Sequence, residues 1–372
     1  MDFALSDEHR MLRDSAAGFL DANVDLSPLL QPGATAAAID STTLWRGISN
    51  LGWAGMVIPE AYGGLGMSHV DLLMILEQAG RTLAPLPLFG TLAGTWCLVR
   101  GGSEAQKLRW LPEVAAGTCR MALAIGETDR TGKISEKVSV SGAGTAPRLS
   151  GTCTLVVDAG QADQIVVAAA GALYLVSCTA PGLAITPLDW RDITRQVCEV
   201  TLDAVPAERL EQGVDQVWPA VRERLLFVLA AESVGGLQHV LDATLAYAKE
   251  RVAFGRPIGA YQAIKHQLAD MKAAMECASV ASLYAGWALD QAPDLAPAAV
   301  RMAHSYASEA YCDAAFRSIQ IFGAIGFTWE MRNHLYLKRA RANAALLGLP
   351  ATQRADLFAI LERRHRDGNW LR

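Results

Sequence analysis

The stretch from Arg251 to Met271, Arg-Val-Ala-Phe-Gly-Arg-Pro-Ile-Gly-Ala-Tyr-Gln-Ala-Ile-Lys-His-Gln-Leu-Ala-Asp-Met, sets cationic and amide side chains around a break between two helical patterns. Pro257 lacks an N–H and restricts the residue before it, while Gly255 permits a turn, so backbone and Arg251 are presented between helices. Such a break can hold an anion or be a solvated turn. A second segment, Gln320-Ile-Phe-Gly-Ala-Ile-Gly-Phe-Thr-Trp-Glu, reads as a helix end with a glycine turn, whose N–H groups suit either a C-cap or a diphosphate. A third residue, Glu232, sits within Leu-Ala-Ala-Glu-Ser-Val-Gly-Gly. A carboxylate buried there must be paired, neutral or functional.

Metal chemistry finds no support. The cysteines at 97, 119, 153, 178, 198, 277 and 312 are dispersed, with no CxxC pair and no His/Cys ligand spacing, so no metal site is expected. They read as reduced thiols of a cytoplasmic enzyme. Tyr62-Gly63-Gly64 and Gly66 precede a helix but match no nucleotide-binding glycine motif.

The elements that must position these residues follow from periodicity. An amphipathic helix opens at Ser6 and runs to Leu20, followed by a loop over 25–40 and helical patterns over 44–51, 69–81, 90–100 and 104–113. From Met121 the period changes to short β-rich runs, at 121–125, 155–157, 164–169, 172–176 and 196–202. These predict a small β-barrel or sandwich. Helical patterns return over 216–250, 263–289, 297–322 and 331–347, a four-helix-type bundle. The expected division is an all-α domain over 1–119, a β domain over 120–212 and a helical bundle over 213–372.

Composition sets limits on function. The chain has 372 residues, 51% hydrophobic and 19% charged, with a net charge of −5. A large interior or extensive subunit contacts fit this composition, and whole-chain attraction to nucleic acid does not. The N-terminus, Met1-Asp-Phe-Ala-Leu-Ser-Asp-Glu-His, has no apolar core of a secretory signal, and no long uninterrupted apolar run predicts a membrane span.

Arg251, Phe254-Gly255, Pro257-Ile258, Gln262 and the Lys265-His266 to Asp270-Met271 run together resemble the acyl-CoA dehydrogenase family. Pro59-Glu60, the Gln320 segment and His334-Leu-Tyr-Leu-Lys-Arg-Ala resemble it too, and the α, β, α order covers essentially the whole chain. The resemblance implies an α+β fold with an N-terminal α domain, a middle β-barrel and a C-terminal four-helix bundle. It implies FAD, an acyl-CoA substrate desaturated between Cα and Cβ, and an electron-transfer flavoprotein or similar acceptor. It also implies that Arg251 and Gln262 reach the FAD of a neighbouring subunit, that Phe254, Gln320 and Gly323 bind the cofactor too, and that Glu127 and Val157 lie against the flavin from the β domain. The family's Gly-Ser-Asp after the Glu127 position is absent here.

The family's catalytic glutamate has two locations. One falls about twenty residues past Gly326, at Leu347-Gly348, and the other about seven turns before Arg251, at Leu225. Neither leucine can take a proton. Glu223 lies roughly 200° round the helix from Leu225, whereas Glu232 lies on nearly the same face, which makes Glu232 the candidate base. A structural hydrogen bond or a subunit contact is the other reading of Glu232. Lys338-Arg339 with Arg341 reads as a solvated basic cluster, and His334 as part of a polar helix face.

Two principal functions follow from the resemblance. The chain is a dehydrogenase acting alone as a homo-oligomer, or it is the non-catalytic member of a heterotetramer with a second acyl-CoA dehydrogenase subunit, completing its partner's FAD site. The Gly-Phe-Thr-Trp-Glu run looks most like actinobacterial members acting on bulky side-chain thioesters, some of them mixed oligomers. A third reading keeps the flavin fold but uses oxygen.

Overall fold

Serine begins three of the first helices, and for the same reason each time. The computed structural model describes residues 4–128, 134–142 and 146–367, apart from the side chains of 127, 128, 134 and 135. Helices α1 (Asp7–Asn23), α3 (His69–Thr82) and α5 (Glu104–Ala115) each start in a capping box built on Ser6, Ser68 or Ser103. The box satisfies N–H groups that have no acceptor inside the helix, worth about 1 kcal/mol per cap. Between them lie α2 (Thr42–Asn50) and α4 (Leu88–Gly101), the latter buried on nearly every side.

Two glycines let α4 lie close to the β region. A Cβ at Gly90 would meet the Val157 carbonyl at 2.9 Å, and one at Gly94 would meet Met121 Cβ at 2.6 Å. The Gly90 N–H donates to Asp158 Oδ2 at 2.8 Å, which locks the helix to the strand end beside it.

Strands β1 (Met121–Ala124), β2 (Glu127–Thr128), β3 (Ile134–Ser135), β4 (Val138–Ser141) and β5 (Arg148–Val157) come first. They are followed by β6 (Gln164–Ala169), β7 (Ala172–Ser177), β8 (Leu183–Pro187), β9 (Val197–Pro206) and β10 (Glu208–Gly213). The expected barrel is not closed among the described residues: the sheets are β1-β6-β7-β10 and β4-β5-β9-β8, with no ladder between them, and β2 pairs with β3 alone. Strand β6 shows why its sequence is apolar from Ile165 onward. Ile165 and Val167 face the core between the sheets, while Val166 and Ala168 face the helical core, so neither face meets water.

Helix α6 (Val214–Glu250) is the axis of the remaining third. It is long and apolar enough to cross a membrane, yet 83% of its most apolar window is buried inside the protein, as expected of a core helix. Helix α3 crosses it at Gly80 and Gly235, where an added Cβ would run into the backbone of Glu232 or Glu77. The helix ends at Arg251, and the chain reverses in a two-residue hairpin, β11 (Val252–Ala253) with β12 (Arg256–Pro257). Phe254 and Gly255 both hold positive φ, 52° and 80°, as a type I′ turn requires.

Helices α7 (Gln262–Gln291), α8 (Ala296–Phe322) and α9 (Asn333–Ala345) complete the four-helix packing. A further helix, α10 (Pro350–Arg366), which periodicity did not predict, packs on α8. Its segment carries few buried residues, Pro350 and Gln353 among them, so no apolar stripe marked it.

Candidate active site

Where α4, the β1 and β5 ends, α6 and the loop before α10 converge, they leave a cavity of about 430 Å³. Phe89 and Ala93 come from α4, Leu225 from α6, Val157 from β5 and Leu346-Leu347 from the loop. Gly348, with φ of 100°, turns that loop, and the buried Gln353 amide donates to the Leu347 carbonyl at 2.7 Å to hold it. The cavity therefore brings together Leu225 and Leu347, 122 residues apart in sequence, which occupy the two positions where the resemblance expects a glutamate. Among the described residues no aspartate, glutamate or histidine lines it. Its polar side chains include Thr154, Arg222 and Thr352.

Glu232 does not line the cavity. Both of its carboxylate oxygens accept from Arg195 Nη2 at 2.7 Å, and Asn343 Nδ2 donates to Oε2 at 3.4 Å. Arg339 stands 3.9 Å from the same oxygen and bonds Asp192 and Thr194, each at 2.6 Å. The whole group is buried, with the side chains of Arg195 and Glu232 4% and 8% exposed. Arg339 is thus not the solvated residue its basic neighbours suggested, because Asp192 and Glu232 hold its charge in place against burial. His334 is likewise buried, edge-on to Trp329, and burial lowers its pKa to about 4.

The ion group backs directly onto the cavity. Arg195 lies over the ring of Phe89, at 5.1 Å, and Asp158 follows the cavity-lining Val157. Burial pushes the Asp158 carboxyl up to about 6, against the pull of Arg195 and the Gly90 N–H. Sequence reasoning passed over Arg195, Asp192 and Asn343. The run Arg191-Asp-Ile-Thr-Arg between two strands carries these charges, but a charged loop is ordinarily solvated, so nothing local marked it as buried.

The expected cofactor residues fall into two groups. Val157 is buried and lines the cavity, with Gly126 beside it. Glu127 pairs through its backbone with Ser135, and its side chain lies outside the described residues. The second group occupies the far ends of α6 and α8, which a Tyr247–Phe322 ring stack at 4.1 Å draws together. Arg251, Gln262, Gln320 and Gly323 are exposed there, and Phe254 is 97% exposed at the hairpin tip. Gly323 has φ of 69° and nothing within 4 Å of where a Cβ would stand, so its backbone is open to a close approach. None of these five residues lines the cavity. On one chain the two groups form separate surfaces.

Comparisons with known proteins agree with this architecture. Residues 6–118 match the model for the acyl-CoA dehydrogenase N-terminal domain and residues 220–361 that for the acyl-CoA dehydrogenase C-terminal domain. Acyl-CoA dehydrogenase IpdE2 of Mycolicibacterium smegmatis is 30% identical over 361 residues, 95% of this chain and 99% of the relative. Among solved structures, a variant of the Tcur3481-Tcur3483 steroid ACAD superposes with a TM-score of 0.83 at 28% identity, covering 97% of this chain and 99% of that one. The ChsE4-ChsE5 complex from Mycobacterium tuberculosis shares the fold, with a TM-score of 0.85 at 24% identity over 99% of each chain. Matched at both ends by the family's own domains, and along nearly its full length by a relative, the chain belongs to the acyl-CoA dehydrogenases, FAD-binding oxidoreductases that act on the CH–CH bond of acyl-CoA.

Proposed function

We propose that this chain is one subunit of a heteromeric acyl-CoA dehydrogenase, and that it completes a flavin site without supplying the base. The observation that carries this reading is the cavity in which Leu225 and Leu347 meet and no carboxylate is present among the described residues. Desaturation moves the α-proton to a base and the β-hydride to an acceptor, and FAD supplies the acceptor when bound. A leucine-lined pocket has nowhere to put the proton. For Glu232 to act as base, it would first have to leave Arg195, which engages both its oxygens, and that exchange breaks a buried, doubly bonded ion pair.

The chain's surfaces fit the cofactor in two parts. Exposed Arg251 and Gln262, with the open backbone at Gly323, offer the cation, amide and N–H partners that a diphosphate needs. Phe254 and Gln320 flank that surface, and Val157 belongs to the second, at the cavity, with Glu127 next in sequence to the cavity-lining Gly126. Because the two lie apart on one chain, a flavin that touches both kinds of residue spans two subunits. The Tcur3481-Tcur3483 relative, whose name joins two components and calls it a steroid ACAD, supports a paired assembly acting on a bulky acyl-CoA. An electron-transfer flavoprotein or similar acceptor then reoxidises the flavin, in the cytoplasm, where thiols stay reduced.

Flavin content tests this directly. The chain is expressed alone and with the protein encoded beside it, and the visible spectrum and turnover are recorded. Flavin retained only with the partner, at about one per two chains, is expected of a site shared across a pair. Turnover by the purified chain alone overturns the reading.

A further inference from the structure

Among the described residues no carboxylate lines the cavity, yet it has a positive pole. Arg222, on α6 one turn before Leu225, lines it with only 8% of its side chain exposed. A guanidinium is a strange choice for an apolar wall unless something anionic meets it. Asp356 accepts from it at 3.3 Å, engaging one of the five N–H donors, and Asp356 is shared with Arg301 at 3.7 Å. Arg301 also stands 3.9 Å from Glu223, so Asp356 is divided between two guanidinium groups and does not saturate Arg222.

A second feature points the same way. Helix α10 begins at the cavity: Leu349 and Thr352 line it, Leu349 provides no side-chain cap, and Pro350 follows. The first helical N–H groups, those of Ala351 and Thr352, have no acceptor within the helix, and its N-terminal dipole favours negative charge. Opposite them the wall is hydrocarbon, from Phe89, Ala93, Leu225 and Leu347.

We propose that this cavity takes an acyl group with an apolar body and a carboxylate, the carboxylate seated on Arg222 and the start of α10. The proposal rests on reading the cavity as this chain's acyl pocket, and not on whether the chain turns over. An anion could also reach Arg222 as a phosphate of the carrier, so the test separates the two sources.

Binding of adipyl-CoA, hexanoyl-CoA and free CoA is measured calorimetrically on the flavin-loaded complex without electron acceptor, for the wild type and Arg222→Met. The two complexes are identical at every other site, so a difference between them reads this cavity. Adipyl-CoA is expected to lose about tenfold in affinity on substitution, the scale of one charge-assisted bidentate contact, while hexanoyl-CoA and CoA are unchanged. Equal losses for all three ligands assign the charge to the carrier's phosphates and overturn the proposal. So does unchanged adipyl-CoA binding, or no binding of either thioester. Should Arg222→Met fail to assemble, Arg222→Lys keeps the charge and loses the fork: adipyl-CoA is expected to weaken selectively, and unchanged affinity overturns the proposal. A chain that turns over alone yet shows this preference removes only the non-catalytic reading, and an inactive chain without it removes only the carboxylate assignment.

Discussion

At the scale of single residues, Glu232 shows how a carboxylate in the expected place comes to serve another purpose. Helix geometry puts it on the face of Leu225, two turns on, and that much is correct. What lies opposite differs. At Leu225 the helix faces a cavity, and at Glu232 it faces Arg195 and Asn343, brought there by a loop and by α9. Glu232→Gln leaves Arg195 and Arg339 without one counter-charge in a dry site, so we expect a loss of about 3–5 kcal/mol of stability, read as a fall in the urea midpoint. A folded variant of unchanged stability that has lost turnover would restore Glu232 as the base. The motif that nominated it recorded the right face, but no local pattern in α6 records which partner stands across from it.

At the scale of elements, glycines decide how closely the site's walls approach. Gly90 and Gly94 seat α4 on the β region, and Gly80 and Gly235 seat α3 on α6. The helix that carries Leu225, Arg222 and Glu232 is therefore fixed by backbone contact rather than by long side chains. Gly235→Ala places a methyl against the Glu77 carbonyl, and the expected cost is about 1–3 kcal/mol from overpacking. Gly171→Ala is the comparison, since nothing lies within 4 Å there; its φ of 74° makes it a test of backbone strain alone. If thermal melts show the two variants equally destabilised, close approach is not what Gly235 provides. The hairpin Phe254-Gly255 was legible from sequence as a helix break, since proline and glycine act locally. Helix α10 was not, because it is mostly exposed and periodicity reports only a buried face.

At the scale of the whole molecule, the C-terminal bundle buries polar groups that make stability depend on pH. His304 is fully enclosed, its Nε2 facing the Asn343 carbonyl at 3.3 Å and its Nδ1 without a partner. Burial lowers its pKa from 6.5 to about 4. The folded chain keeps it neutral while the unfolded chain binds a proton below 6.5, so its contribution is present above 6.5 and is lost as the pH falls toward 4. Its full effect on the slope is about 1.4 kcal/mol per pH unit. His239 acts in the same direction; Asp158 and Glu77, raised by burial to about 6 and about 7, act in the opposite one. The difference between wild type and His304→Gln is therefore the readout. Urea midpoints between pH 7 and 4 are expected to fall less steeply in the variant, and parallel curves would show that His304 does not titrate with unfolding.

Sequence by itself determined the order of α, β and α segments, the helix break and turn after Arg251 and the family, because these rest on local periodicity, turn chemistry and residue order. It also located both leucines where a base was expected, each by counting along the chain. Only the tertiary structure decided that Leu225 and Leu347 share one cavity, that Glu232 belongs to Arg195, and that Arg339 is buried rather than solvated. Each of these depends on which distant segment is packed opposite, through contacts that span more than thirty residues in sequence. A one-dimensional pattern records the face a side chain takes on its own element, and leaves open what the fold brings to meet it.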